Sequence, residues 1–93
     1  MLGRDPDPRD TMVDELIFFS KRDCPLCDHG FPAAQRLAAH HGLCLRKVDI
    51  ETNASWLEEY GERIPVLCFR DRVLGWGRLS ERALERELAK VLP

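Results

Sequence analysis

Residues 15–28 read ELIFFSKRDCPLCD, and the fold of the chain depends on how this stretch divides. ELIFFS, residues 15–20, is a short apolar run of strand formers and predicts a buried first strand. Cys24 and Cys27 follow, and from Pro25 the pattern becomes helical; proline suits a first helical turn, which needs no amide donor. Phe31, Ala34, Leu37 and Ala38 then mark one stripe of a helix reaching about His41, with Gly42 as its stop. Gly30 and Pro32 predict a kink, or a short turn followed by a helix that begins at Pro32.

Further along, LCLRKVDIE (43–51) carries Leu43, Leu45, Val48 and Ile50 and predicts a second strand. TNASWLEEYGER (52–63) has cap residues Thr52, Asn53 and Ser55, a short helical piece with Trp56, Leu57 and Tyr60, and a stop at Gly61. IPVLCFRDRVLGWG (64–77) predicts a hairpin: a strand over 65–70, a turn near 70–72 that lacks glycine, and a strand over 73–76. LSERALERELAKVL (79–92) is an amphipathic helix with Ser80 as N-cap and Ala83, Leu84, Leu88, Val91 and Leu92 on its apolar stripe. The order is strand, helix, strand, helix, strand, strand, helix, and its first three elements form a right-handed crossover between parallel strands.

At 93 residues there is material for one small core, so 14–93 is expected to be a single domain. Residues 1–13, with two Asp-Pro pairs and nothing periodic to bury, are expected to form a disordered leader. Apolar residues make up 44% of the chain and charged residues of both signs 32%, as suits a globular protein. A formal net charge of -2 without a Lys/Arg cluster gives no phosphate-tracking face, which argues against nucleic acid as a partner. No apolar run is long enough to span a membrane and the N-terminus lacks a signal-like apolar stretch, so the expected compartment is the cytoplasm.

In a reducing cytosol a close cysteine pair is more often catalytic or metal-binding than structural. A C-x-x-C directly after a buried strand, at the opening of a helix in a βαβ unit, reads as a redox motif. A sulfur at the helix N-cap meets unpaired amides and the positive end of the macrodipole, which lower a thiol pKa from about 8.5 toward roughly 3.5–7.5. Cys27, three residues on, comes within reach of Cys24 and can resolve a mixed disulfide. Lys21 and Arg22 favour the thiolate, while Asp23 and Asp28 oppose it. Zinc requires about four ligands, and only His29, the pair His40 and His41, and the single Cys44 and Cys68 remain, so no metal site is expected. Cys44 and Cys68 read as buried small hydrophobes, and His40 and His41 as cations suited to a helix C-terminus. Pro65 opens its strand without an amide hydrogen and leaves the neighbouring Ile64 backbone available to a bound ligand.

FFSKRDCPLC, RIPVL and LGWG in this order, followed by a terminal helix, resemble the glutaredoxin-like branch of the thioredoxin superfamily across residues 15–92. The chain is especially similar to small bacterial glutaredoxin-like proteins that combine a C-x-L-C motif with VDI and YG-x-RIPVL. That resemblance implies a four-stranded mixed sheet of order 2-1-3-4 flanked by helices. It also implies Cys24 as nucleophile, Cys27 as resolving thiol, a cis Pro65 facing them, Lys21 as partner of a glutathione carboxylate, and Ile64 offering its backbone to the ligand. Leu26 replaces the usual tyrosine between the cysteines. Gly75 matches the first residue of a family glycine pair, but Trp76 replaces the second, and Arg78 stands where an acidic residue usually meets the glutathione amino group. A bulky indole and a cation there work against the usual glutathione pose.

The expected activity is thiol-disulfide exchange on a disulfide-containing protein or small thiol, with a reductase or glutathione as electron donor, in a monomer without a tightly bound cofactor. Leu26, Ile64, Pro65 and Trp76 are expected to line the substrate groove. Two other classes stay open: a non-catalytic binding module that docks a partner on Trp76, and a redox sensor or metal-cluster handler.

Overall fold

The structure is a computed structural model in which residues 15–92 are described; the leader expected over 1–13 lies outside the described residues. The elements are β1 (Glu15–Ser20), α1 (Pro25–His41), β2 (Cys44–Asp49), α2 (Ala54–Tyr60), β3 (Val66–Phe69), β4 (Arg72–Trp76) and α3 (Glu81–Ala89). A single 3-10 turn, Ile50–Thr52, joins β2 to α2. The four strands form one mixed sheet in the order β2-β1-β3-β4. β1 runs parallel to β2 and antiparallel to β3, which pairs antiparallel with β4. This is the expected thioredoxin-like α/β architecture.

Strand β1 is apolar throughout because both of its faces are covered. Leu16 and Phe18 point into a cluster shared with Leu67, Phe69, Leu37 of α1 and Leu84 and Leu88 of α3. Their neighbours Ile17 and Phe19 point the other way, toward Ile50, Tyr60, Val66 and Cys68. The period of two along β1 therefore separates a two-helix face from a smaller face closed by α2. On the small face the Phe19 ring lies 4.7 Å from Tyr60 and 5.6 Å from Trp56, centroid to centroid. On the large face Phe18 meets Phe31 edge-on at 5.0 Å.

Helix α1 runs unbroken from Pro25 to His41, with neither the expected break nor a new start at Pro32. Proline inside a helix frees the carbonyl four residues earlier, here that of Asp28. Asp28 and Pro32 are both exposed, so that carbonyl lies on the solvent side, where water replaces the lost donor. Gly30 has a different role. A Cβ there would come within 3.2 Å of Leu79 Cδ1 and 3.3 Å of Pro65 Cγ, so glycine lets α1 approach these two residues closely. The helix ends at Gly42, whose φ of 65° is left-handed and whose N–H returns to the last-turn carbonyls.

Asn53 caps α2, its side-chain oxygen accepting from Ser55 N–H at 2.8 Å, and Ser80 caps α3, accepting from Ala83 N–H at 3.3 Å. The hairpin strands are shifted slightly from expectation: Pro65 precedes β3, Arg72 belongs to β4, and the glycine-free turn closes with Arg70 at φ 57°. A bulge sets Leu67 opposite Gly75 but Cys68 opposite Val73, and it turns the extra residue, Leu74, into the large core.

Three expectations about the core are corrected. Cys44 is exposed, because it opens the edge strand β2 and faces water; Cys68, in the central strand β3, is buried as expected. Ala83 is exposed rather than part of the apolar stripe of α3. Val91 and Leu92 pack against the core, but from beyond the end of α3 at Ala89.

Candidate active site

The turn after β1 delivers Cys24 to the start of α1. Asp23 takes a left-handed φ of 56°, which short polar side chains tolerate better than most, and Cys24 then adopts the extended φ of -117° suited to an N-cap. The cap group is the sulfur itself: Cys27 N–H donates to Cys24 Sγ at 3.1 Å. Cys24 and Cys27 are joined as a disulfide, with Cα atoms 5.2 Å apart, within the usual span. Cys24 is 9% exposed and Cys27 3%, so the outer sulfur is the more accessible.

The peptide bond between Ile64 and Pro65 is cis. Pro65 is buried and its ring lies against Gly30, so the opening turns of the helix that carries the cysteines rest on it. Ile64 is half-buried and packs on the cluster that contains Cys24 and Cys27. Its N–H is already engaged, donating to Tyr60 O at 3.1 Å.

Beyond the proline, Gly77 N–H donates to both Arg63 O and Pro65 O, at 2.9 Å each, and holds the end of β4 against the 63–65 turn. Trp76, 56% exposed, stands on this edge in register with Val66. The Arg63 guanidinium lies 5.8 Å from the indole centroid, within cation–π range. Gly75 has a packing reason of its own, since a Cβ there would meet Leu84 Cδ2 at 3.0 Å. Leu26 is exposed on the first turn of α1, and Arg78 is exposed beyond β4.

Lys21 is exposed on the turn between β1 and α1. It lines a hollow of about 290 Å³ in which the cations Lys21, Arg22 and Lys47 alternate with Asp23, Asp28 and Asp49. This hollow has balanced charge, and Cys24 is not part of its wall. The structure thus gathers Cys24, Cys27 and Ile64 in one apolar cluster, packs Pro65 against Gly30 of the same helix, places Trp76 on the β4 edge of the sheet, and sets Lys21 on a hollow lined by charged side chains. Arg63, which directly precedes Ile64, was not among the expected site residues; its position over Trp76 depends on the pairing of β3 with β4.

A disulfide-bonded cysteine pair at the N-terminus of the first helix, a cis-proline loop packed on that helix, and a β2-β1-β3-β4 sheet define a thioredoxin-like protein. The chain belongs to the family of the glutaredoxin-like domain (DUF836), which it matches over residues 15–91. Among solved structures it is similar to a protein of X. campestris, with 28% identity over 83% of this chain and 99% of that one, at a TM-score of 0.69. It is also similar to a protein of Nitrosomonas europaea, with 20% identity over 91% of this chain and 96% of that one, at a TM-score of 0.68. Thioredoxin 1 of Thermosipho africanus shares the fold at 15% identity, over 82% of this chain and 96% of that one, with a TM-score of 0.55. Among the described residues no helix is long and apolar enough to cross a membrane.

Proposed function

We propose that the protein is a thiol-disulfide oxidoreductase whose nucleophile is Cys24 and whose resolving thiol is Cys27. The observation that carries this reading is the N-cap: in the reduced protein the same Cys27 N–H and the helix terminus stabilise a thiolate on Cys24. That thiolate attacks one sulfur of a substrate disulfide. The substrate S–S bond breaks, its second sulfur leaves with the electron pair and takes a proton from water, and a mixed disulfide forms on Cys24. Cys27 then gives up its proton and attacks Cys24 Sγ, restoring the intramolecular disulfide and releasing the first substrate sulfur as a thiol. Two electrons pass from the cysteine pair to the substrate, and a reductase or a small thiol must return them.

The groove favours a protein disulfide over glutathione. Pro65 and the Ile64 carbonyl give an extended segment a backbone edge, and Trp76 with Leu26 adds exposed apolar surface on which a protein side chain can rest. Arg78 replaces the acid that would meet a glutathione amino group. The assignment is tested by insulin and small-disulfide reduction, with the midpoint potential of the Cys24–Cys27 pair measured in thiol buffers. The protein is expected to reduce insulin and to draw electrons from thioredoxin reductase faster than from glutathione. A pair that does not cycle between dithiol and disulfide in such buffers would leave a binding module, with Trp76 as its anchor, as the better account.

A further inference from the structure

At the opposite end of α1 from the cysteines, a group of side chains that thiol chemistry does not use converges on one point. Helices α1 and α3 lie side by side and are tied first by Arg36, whose Nε meets Glu81 Oε1 at 2.7 Å. One turn further along both helices, at i+4 from each, stand His40 and Glu85. His40 Nδ1 lies 3.4 Å from Glu85 Oε2, and His41 Nε2 contacts Glu85 Oε1. One ligand atom from each of the three residues lies within 4.8 Å of the others.

We propose that His40, His41 and Glu85 form a binding site for a divalent first-row cation, with Zn²⁺ as the natural occupant. Two imidazole nitrogens and a carboxylate oxygen are a borderline donor set, which selects zinc, nickel or copper over magnesium and calcium. Metal–ligand bonds of about 2.0–2.2 Å in tetrahedral geometry put donor atoms roughly 3.3–3.6 Å apart; His40 and Glu85 already stand 3.4 Å apart, and the full set, within 4.8 Å, closes on a cation by side-chain rotation. A simple ion pair needs one histidine for one carboxylate. Here consecutive residues of a helix, whose side chains diverge by about 100°, both turn to the same glutamate, one to each oxygen. The site is also partly built into the surface: the His41 side chain is 20% exposed, while that of His40 is 73% exposed and leaves the fourth position open to water. A bound cation clamps the last turn of α1 to α3 and stabilises the folded chain by mass action.

The test uses the full chain in its disulfide form with Cys44→Ser, so that Cys24 and Cys27 are bonded to each other and the exposed thiol is absent. Zn²⁺ titrated calorimetrically is expected to bind one per chain and to raise the unfolding temperature. His41→Ala and Glu85→Gln are each expected to weaken binding about tenfold or more. His40→Asn, at an exposed position that the fold tolerates, is expected to weaken it as well and serves if the other variants fold poorly. The proposal is overturned if no saturable binding occurs, or if all folded variants bind as the parent does.

Discussion

In the proposed reaction Cys24 is the nucleophile, and its immediate neighbours set how readily it ionises. The carboxylate of Asp23 sits on the residue before the sulfur, and its left-handed backbone also suits asparagine. Asp23→Asn therefore removes a charge that opposes the thiolate while keeping the turn, and is expected to lower the Cys24 thiol pKa. Thiolate absorbance at 240 nm as a function of pH reads this; an unchanged or raised midpoint would contradict it. The remaining thiols separate by position. Cys44, exposed at the edge strand, is expected to react with maleimide in the native disulfide form, while Cys68 in the central strand stays protected until unfolding. The meeting of Cys24 and Cys27 was legible because their spacing acts within one helical turn. Arg63 and the misjudged Cys44 were not, because their surroundings are set by strand neighbours distant in sequence.

Among the elements, α1 couples the cysteines to the cis-proline loop through Gly30. An exposed helical glycine replaced by alanine gains about 1 kcal/mol. At this position the new methyl meets the rigid ring of Pro65 and the side chain of Leu79, and overpacking of this kind costs about 1–3 kcal/mol. Gly30→Ala is expected to lower the urea midpoint and to slow disulfide exchange together; a rise in stability with unaltered exchange would refute the close packing. In α3, a hydrogen bond from Lys90, with a smaller contribution from Arg72, holds the Glu87 carboxyl below the usual carboxylate range. A lowered folded-state pKa adds stability above the ordinary glutamate value, about 4.3, and loses it as pH falls through the folded value. Glu87→Gln is accordingly expected to destabilise slightly at pH 7 and to be neutral at about pH 3, by chemical denaturation at both. Both long helices were legible from their periodicity and caps, but the continuity of α1 through Pro32 was not, since it depends on which side of the helix meets water.

Considered as a whole, the molecule is one sheet closed unequally on its two faces, with Cys24 and Cys27 built into the larger cluster. Leu84, 1% exposed in that cluster, is expected to cost about 2–5 kcal/mol when replaced by alanine, a large share of the stability of a chain this small. Equilibrium unfolding measures this, and a loss below about 1 kcal/mol would show that α3 is not integral to the core. The sheet order was legible from the motif sequence, through family resemblance and the crossover rule, whereas the meeting of His40, His41 and Glu85 was not, because it joins the end of α1 to the middle of α3, some 45 residues apart. The central claim, that Cys24 attacks and Cys27 resolves, is tested most directly by incubating the two reduced single-cysteine variants with a substrate disulfide and following adducts by mass spectrometry. Cys27→Ser is expected to accumulate a stable mixed disulfide on Cys24 at a rate near that of the parent's first step, and Cys24→Ser to react far more slowly. Equal or faster trapping on Cys27 in the Cys24→Ser protein would contradict the assignment.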